Sequence, residues 1–419
     1  MKRDLIILLL ILPLLLPGIT LQECLEKAEE QYAGKANQAI FSELQESSRK
    51  AAGSRYYPQL GISGSYNGQS ESTAIDLAGI PFEIDFPEQS KTSYNLSLQL
   101  QQVIYDGGAI KNSKELSGLQ YESRLKGVEN ELQERRLLVT SIFYQILLAQ
   151  RQQEILNLYK ENLTAELRKV TAGIDAGILE ENSSLLVQEQ LWQLAEEVFK
   201  VKYQEREFLA KLSRMTGLTL AEDSELENYE ADLFYPSEIV SPGLSNLLLQ
   251  AEMEKTQSRI AGAGLLPQLG LNGTYAWGNP GYDIFSKDAH TYYRGGINLN
   301  WQIWDWGSRR REKNIHQCLA EAFGNSYNAK KEAIELTLIE KDNDIKHLRE
   351  ELQLQDERIA LLQQITENYE SKLNEGMIST EDYLQQLNRL KEIELQQAAT
   401  EISLSFQKIM KLFIMGGTL

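Results

Sequence analysis

The chain has 419 residues and a formal net charge of −18 at pH 7. This acidic balance argues against nucleic acid and anionic membrane surfaces as partners, because binding phosphates requires basic patches, and the sequence contains none. Leucine and glutamine dominate the composition, and prolines are nearly absent from the long middle segments, which favours long helices over a compact enzyme.

Residues that could carry catalysis or bind a metal are sparse. None of the three histidines, His290, His316 and His347, lies at metal-ligand spacing from a partner, and two distant cysteines make no zinc site. Neither a Gly-x-Ser-x-Gly motif nor a phosphate-binding glycine loop occurs. The acidic residues lie at helix-surface spacing, which is typical of solvated faces. We therefore expect no enzyme activity, no cofactor and no metal site.

The N-terminus has the pattern of a secretory signal peptide. Lys2 and Arg3 precede an apolar run from Leu5 to Leu16, which Pro17-Gly18 ends. This run is too short to span a bilayer, and a charged start is typical of export signals. We assign residues 1–18 to a signal peptide and expect the chain to leave the cytoplasm.

The two cysteines, Cys24 and Cys318, both fall in predicted helices. Acylation of Cys24 would require small residues before it, whereas Gln22 and Glu23 precede it, so a lipid anchor is not expected. Nothing in the sequence argues for a disulfide between the two thiols.

Residues 19–216 form the first of two predicted repeats. Helical spacing extends from Leu21 to about Ala52. A β-hairpin with a long acidic loop follows over residues 57–105, because apolar and polar side chains alternate there as in amphipathic strands. The apolar face of this hairpin is predicted to carry Leu60, Ile62, Tyr66, Leu96, Leu98 and Leu100.

A very long helix is predicted over residues 108–172. Apolar residues occupy most of its heptad positions, as in a coiled coil. At 1.5 Å per residue, such a helix is about 100 Å long. Gly177 then allows a turn at the tip, and a helix about half as long returns over residues 181–216. The exceptions in the heptad pattern are Arg135, Gln153 and Lys160.

Residues 217–244 are irregular and acidic, and are predicted to link the repeats as an equatorial segment. Residues 245–415 then repeat the same kinds of element, before a tail at 416–419. The predicted order is a helix, a β-hairpin over 266–304, a long helix over 308–373, a tip turn at Gly376 and a returning helix. The apolar and aromatic face of this hairpin is predicted to carry Leu269, Leu271, Tyr275, Trp277, Tyr293, Ile297, Leu299, Trp301 and Ile303.

The two hairpins share sequence as well as pattern. Ile-Tyr-Asp-Gly-Gly at 104–108 corresponds to Ile-Trp-Asp-Trp-Gly at 303–307, and Pro-Gln-Leu-Gly opens both hairpins, at 58–61 and 267–270. A repeat of about 200 residues is too long for a solenoid unit, so we interpret the chain as a duplicated domain-sized piece. The predicted exits from strand to helix lie at Asp106, Gly108, Asp305 and Gly307.

Four strands of about ten residues are each long enough to cross a bilayer when tilted. Four strands cannot close into a barrel, and open edges would leave backbone groups unpaired in lipid, so chains must combine. Eight strands would enclose only side chains, whereas twelve strands from a trimer leave a lumen, which suits the small polar residues of the other face. Aromatic residues at both strand ends match the belts of a membrane barrel. A soluble sheet whose apolar face packs on helices is the alternative.

In these motifs the chain resembles the TolC-like outer-membrane efflux protein family. The resemblance rests on the opening segment Ile19 to Leu25, the two Pro-Gln-Leu-Gly starts, the two Asp-x-Gly exits and the glycine turns. It implies a mixed α and β membrane protein, a homotrimer whose twelve-stranded barrel in the bacterial outer membrane continues into a tunnel of twelve helices across the periplasm. It also implies docking to a periplasmic adaptor and an inner-membrane pump.

The resemblance further implies a gate of aspartates at the tips of the helical hairpins. Asp382 matches the first aspartate, and Gln385 stands where the second would be. Leu373 and Ile378 occupy positions at which some relatives carry a tyrosine and an arginine that lock the closed state. Three copies of the acids at the tips would favour cations in the constriction, although acids at helix N-termini also interact favourably with the helix dipole. These acids are Glu180, Glu181, Glu375 and Glu381.

The resulting hypothesis is a passive outer-membrane exit duct of a tripartite efflux or type I secretion system, carrying small molecules or proteins. Energy for transport must then come from a partner. The alternative from another class is an envelope-spanning coiled-coil structural or adhesion protein without channel activity. The sequence does not identify the cargo.

Overall fold

The computed structural model describes residues 18–71, 90–177, 179–221, 224–229, 233–283 and 288–419. Nearly all of the predicted signal peptide and most of the loop predicted between the first two strands lie outside these residues.

The chain consists of long helices and one small sheet, arranged as two similar series of elements. Each series has two strands, a very long helix and a shorter helix, preceded by two helices in the first series and by one in the second. The elements are α1 (Leu21–Glu30), α2 (Asn37–Ser54), β1 (Gln59–Gly68), β2 (Thr92–Tyr105), α3 (Ala109–Asp175), α4 (Glu181–Thr216), α5 (Pro242–Ala263), β3 (Gln268–Asn279), β4 (His290–Asn300), α6 (Ser308–Asn374) and α7 (Thr380–Ile414).

The prediction of one continuous helix from Leu21 to Ala52 is wrong. α1 ends at Glu30, a short 3₁₀ turn follows at Ala33–Ala36, and α2 starts afterwards. α1 buries one face, whereas α2 buries no residue, and Ile40 is 58% exposed. The apolar spacing therefore continues across two helices whose surroundings differ, which periodicity alone does not reveal.

Two predicted boundaries in the second repeat also differ from the structure. β4 ends at Asn300, not at residue 304, because Asn300 pairs with Gln268, the first residue of β3, and no strand partner extends beyond it. α5 starts at Pro242, inside the predicted linker, where proline suits the first turn of a helix.

The described chain divides into two compact units. The helix unit comprises the described residues within Met1–Lys35, Val128–Ser241 and Lys331–Leu419, and the sheet unit comprises those within Ala36–Gly127 and Pro242–Lys330. Both α3 and α6 contribute residues to each unit.

The sheet unit contains one antiparallel sheet in the order β1-β2-β3-β4. Ile62 pairs with Leu98, Leu98 with Tyr275, and Tyr275 with Tyr293, so the apolar positions of all four strands fall on one face. β1 and β4 are the outer strands, and each pairs on one side only among the described strands.

The helix unit has two hydrophobic cores. The linker core joins α1, α3, α4, α7 and the segment between the repeats, and its fully buried members include Leu21, Phe143 and Leu212. Leu226 of that segment joins the linker core and forms an isolated parallel bridge with Ile19. The hairpin core joins α3, α4, α6 and α7 nearer the turns, with Leu156, Val187, Leu194, Leu373 and Leu387 among its buried members.

Arg135, an exception in the heptad pattern of α3, replaces packing by polar cross-links. Its Nε donates to the carbonyl of Ala28 at 2.9 Å, and Nη2 donates to the carbonyl of Met215 at 2.6 Å. Its guanidinium also lies 5.6 Å from the centre of the Tyr32 ring. Arg135 thus binds carbonyls near the C-terminal ends of α1 and α4, which lack partners within their own helices.

Gln153, the second exception, donates from Nε2 to the carboxylate of Glu205 on α4. Gln150 donates to the same carboxylate at 3.0 Å, so two amides stabilise a glutamate that is only 5% exposed. Lys160, the third exception, is exposed.

Cys24 and Cys318 form no disulfide. Cys24 is fully buried in the linker core, and this burial raises the pKa of its thiol to about 12. Cys318 is exposed on α6.

Candidate functional site

The turns that join the long and short helices have the same backbone conformation. Gly177 and Gly376 both have φ of +72°, in the left-handed region that favours glycine. The amide of Gly177 donates to the carbonyl of Ile174, and that of Gly376 donates to the carbonyl of Leu373, both at 2.9 Å. The duplicated glycines therefore end α3 and α6 in the same way.

Asp382 is part of a capping box at the start of α7. Its amide donates to Oγ of Ser379 at 3.1 Å, and its Oδ2 accepts the amide of Ser379 at 3.1 Å and the hydroxyl at 2.6 Å. These hydrogen bonds lower the pKa of the Asp382 carboxyl. The side chain is nevertheless exposed, so a carboxylate charge stays at the tip.

The other acids predicted at the tips are also exposed. Glu180 is the N-cap of α4 but makes no side-chain capping bond, and Glu181 follows in the first turn. Gln385 lies one turn after the capping box of α7, with its side chain exposed. The exposed acids of the second tip are Glu375, Glu381 and Asp382. Each chain thus presents these five exposed carboxylates at its two tips, together with that of Asp175 at the end of α3.

Leu373 and Ile378 pack into the hairpin core. Leu373 is 7% exposed, and Ile378 is partly buried against the cluster. The positions where the family resemblance implies a polar lock therefore contribute apolar packing in this chain.

Polar links between the two helical hairpins lie elsewhere, at positions that the sequence did not single out. Lys391 of α7, whose side chain is 11% exposed, donates to both carboxylate oxygens of Glu197 on α4 at 3.0 Å. Lys169 of α3 contacts Glu370 of α6 at 2.7 Å. The only signal in the sequence is that Lys391 stands at heptad spacing between Leu384 and Ala398.

The sheet exposes its apolar face. Ile62 is 77% exposed and Tyr293 is 86% exposed, whereas Ser97 and Ala276 on the opposite face are 2% and 1% exposed. The apolar face is therefore not covered by any described residue, which contradicts the alternative in which it packs on helices. The predicted residues exposed on this face, or directly after β4, are Leu60, Ile62, Tyr66, Leu96, Leu98, Leu100, Leu271, Tyr275, Trp277, Tyr293, Ile297, Leu299, Trp301 and Ile303, while Leu269 is half-buried.

The opposite face is polar and internally hydrogen-bonded. The hydroxyls of Ser63 and Ser97 lie 2.8 Å apart, and Nε2 of Gln99 donates to Oγ of Ser63 at 3.1 Å. Small residues at Gly61 and Ala276 leave space beside them. This face offers hydroxyl and amide groups to water.

The two exits from strand to helix share one geometry. Asp106 accepts the amides of Gly108 at 3.0 Å and Ile110 at 2.6 Å, and Asp305 accepts those of Gly307 and Arg309, both at 2.9 Å. Each aspartate therefore supplies acceptors for otherwise unpaired amides at the start of a 67-residue helix. The Asp-x-Gly motif is a capping device repeated in both halves.

In the part of the chain that the structure describes, no helix combines the length and the apolar character needed to cross a membrane. The same residues contain no group of three or more histidine, cysteine or acidic side chains that could hold a metal ion.

The combination of long antiparallel helices with a four-stranded sheet is found in solved outer-membrane channels. VceC from Vibrio cholerae is 12% identical, with a TM-score of 0.72 over 95% of this chain and 96% of VceC. CmeC from Campylobacter jejuni is 17% identical, with a TM-score of 0.66 over 95% and 86%. MtrE from Neisseria gonorrhoeae, solved in an open state, is 11% identical, with a TM-score of 0.69 over 95% and 89%.

The sequence itself defines the relationship. The pattern of the outer membrane efflux protein family matches residues 36–218 and 240–405. The chain therefore belongs to the outer membrane efflux protein family, whose members are channels, and the resemblance found from its motifs is confirmed. No curated protein in the comparison matches the chain.

Proposed function

We propose that three copies of this chain form an outer-membrane exit duct, with twelve strands closed into a barrel and twelve helices forming a tunnel into the periplasm. The observation that carries this proposal is the exposed apolar face of the sheet, together with its two outer strands, each of which pairs on one side only among the described strands. Lipid is the solvent that suits such a face.

The number of copies follows from the strands. β1 of one copy pairs with β4 of the next, which removes every sheet edge when the ring closes. Twelve strands leave a lumen, whereas eight fill their interior with side chains. The polar face with Ser63, Ser97 and Gln99 then lines the inside of the barrel, where Ser63 and Gln99 meet water and Ser97 lies buried beside them.

The helical tips form the gate in this proposal. Three copies of Asp382, Gln385, Glu381, Glu375, Glu180 and Glu181 surround the axis and make a negative constriction that favours cations. Lys391 and Lys169 hold the hairpins of each chain together, so opening requires separation between chains or breakage of these links.

The duct is passive and works with two partners, a periplasmic adaptor and an inner-membrane pump, in a tripartite efflux or type I secretion system. This part rests on the family and on the absence of a nucleotide-binding motif from the sequence. Small molecules and proteins both suit a generically polar lumen. Pull-down of the pump through the adaptor would identify the system.

The test is single-channel recording of the purified protein in planar bilayers, with its mass measured in detergent. A trimer that conducts is expected. A monomer, or a trimer without conductance in both the wild type and Asp382→Ala, would favour the coiled-coil spacer instead.

Within this test, Asp382→Ala is expected to raise conductance, because it removes three negative charges from the tips and, at each tip, the carboxylate half of the capping box, while the hydroxyl of Ser379 still caps the helix. Ser379→Ala is the matched control, since it breaks the same capping box but keeps the carboxylate. Equal conductance in both variants would assign the effect to the cap and exclude Asp382 as a charged gate.

A further inference from the structure

α4 carries a row of large apolar side chains that no described part of the chain covers. Leu185, Trp192 and Phe199 lie seven residues apart and Tyr203 follows one turn later, so all four fall on one face of the helix. Trp192 and Phe199 are each 74% exposed, and Tyr203 is 63% exposed. We call these four residues the α4 stripe.

The α4 stripe is not the face that builds the hairpin core. Val187, Leu194, Leu209 and Leu212 of α4 are buried, and their spacing puts them on the opposite side of the helix. α4 is therefore apolar on two sides. A helix with two apolar sides is stable in water only when a neighbour covers each.

α6 has the same property. Ile345, Ile359 and Leu373 are buried at multiples of seven residues, whereas Leu354 and Leu361 are 67% and 57% exposed on the other side. Leu336 and Ile339, also exposed, continue the same outer face. We call Leu336, Ile339, Leu354 and Leu361 the α6 stripe.

Hydrogen bonds within the helix unit show that the two stripes overlap in height. Asn388 of α7 bonds Gln190 of α4 at 2.8 Å, and Thr400 of α7 bonds Gln355 of α6 at 3.2 Å. Tyr203 is the same number of residues beyond Gln190 on α4 as Glu401 is beyond Asn388 on α7. Because both helices rise by the same distance per residue, Tyr203 and Glu401 lie at the same height along the helix axes. Tyr203 therefore lies level with Leu354, and Phe199 lies level with the turn between Leu354 and Leu361.

We infer that the α4 stripe of one copy packs against the α6 stripe of the next copy, with Phe199 and Tyr203 against Leu354 and Leu361. This inference rests on the proposed trimer with its axis along the helices. A rotation about that axis keeps every residue at its height, so residues that are level within one chain are also level between neighbouring chains. A second copy is the partner that presents the matching apolar face at the required height.

Oxidative cross-linking tests the inference. In a Cys318→Ser background, the double variant Tyr203→Cys with Leu354→Cys is expected to give covalent trimers on oxidation, since a disulfide requires Cα atoms within about 7 Å. Each single variant puts its three thiols at the same height but on three different interfaces, where each faces the other helix and not an equivalent thiol, so no covalent oligomer is expected. Cys24 is fully buried and stays out of the reaction.

The matched control is Leu185→Cys with Leu354→Cys in the same background. Both residues belong to the stripes, but they differ in height by roughly 27 Å at 1.5 Å per residue, so this pair is expected not to link. The protein could instead be a trimer in detergent whose thiols, in the variant with Tyr203→Cys and Leu354→Cys, react with maleimide but form no intermolecular disulfide. That result would overturn the proposed contact between the stripes and leave the proposed duct intact. A monomeric protein would overturn the duct itself.

A second variant keeps the interface testable if cysteines perturb folding. Phe199→Ser is expected to lower the temperature at which the trimer dissociates, whereas Lys200→Ser, an exposed neighbour outside the α4 stripe, is expected to leave it unchanged. Equal dissociation temperatures for Phe199→Ser and the wild type, with unchanged helix content, would contradict the proposed contact.

Discussion

The tip glycines are required by backbone conformation and not by crowding. At Gly177 and Gly376 an added Cβ would meet no atom within 4 Å, yet both residues have φ of +72°. An L-residue in that region costs about 1–2 kcal/mol. The duplication has therefore kept glycine at two positions where space would admit a side chain.

We predict that Gly177→Ala lowers the free energy of unfolding by about 1 kcal/mol, measured by denaturant or thermal unfolding. Gly118→Ala, in the third turn of α3, is the matched control. It also places Cβ in open space but needs no positive φ, so the same substitution is expected to stabilise by about 0.5–1 kcal/mol. If both substitutions change the free energy of unfolding in the same direction, backbone conformation is not the reason that residue 177 is a glycine.

At the scale of elements, Lys169 joins the two hairpins of one chain and also pairs with a buried acid on its own helix. Glu166 of α3 is 4% exposed, and burial raises the pKa of its carboxyl, although Lys169 at 3.5 Å lowers it in part. The negative charge of Glu370, on the other side of Lys169, also raises the pKa of the Glu166 carboxyl. These side chains line a cleft of about 480 Å³ between α3, α6 and α7.

A raised carboxyl pKa has a defined consequence for stability. Between the pKa of the unfolded chain, near 4.5, and the higher folded value, the folded state binds the Glu166 proton and the unfolded state does not. Lowering the pH through this range therefore favours the folded state at this site. Above the pKa of the folded state the carboxyl is ionised in both states, so the free-energy cost of burying its charge lowers the stability of the folded state in full.

We predict that Glu166→Gln raises the melting temperature relative to the wild type at pH 8, and that the difference shrinks towards pH 4. Thermal unfolding followed by circular dichroism measures it. Glu161→Gln, which removes an exposed carboxylate from the same helix, reports the effect of one charge alone. If E166Q melts below the wild type at pH 8, the ion pair with Lys169 outweighs desolvation.

Local patterns could predict the elements, whereas contacts between elements could not be predicted. Alternation identified the four strands, and Asp-x-Gly marked the helix starts, because both signals involve neighbouring residues. The capping box of Ser379 and Asp382 was also readable, since serine and an acid three residues apart before an apolar run are typical of it. In contrast, the pair of Lys391 with Glu197 depends on which helices pack together, and the sequence does not contain that information locally.

The break between α1 and α2 shows the same limit. Helical spacing persists through Ala36, so the pattern alone favoured one helix. The break coincides with the change from the helix unit to the sheet unit, where α2 buries nothing. Tertiary packing decided this boundary.

At the scale of the whole molecule, the sheet presents two faces to two solvents in the proposed duct. We predict that Leu98→Arg reduces insertion of the protein into lipid vesicles, because an arginine on the lipid face of a barrel costs about 2–4 kcal/mol near the midplane. Resistance to protease after reconstitution measures insertion.

Gln99→Arg is the matched control, since it places the same charge one residue further on the opposite face. It is expected to insert normally and to shift the ion selectivity of the channel in planar bilayers towards anions. Equal loss of insertion in both variants would show that the two faces do not meet different solvents.

The exits from strand to helix show how far the two halves have diverged since duplication. Gly107 and Trp306 occupy the same place in the Asp-x-Gly motif, and both have positive φ, of 72° and 56°. A Cβ at Gly107 would lie 2.5 Å from the carbonyl oxygen of Ala263, whereas Trp306 is 79% exposed and packs edge-on against Trp304. A tryptophan at position 107 would therefore require the end of α5 to move, whereas a glycine at position 306 would displace nothing.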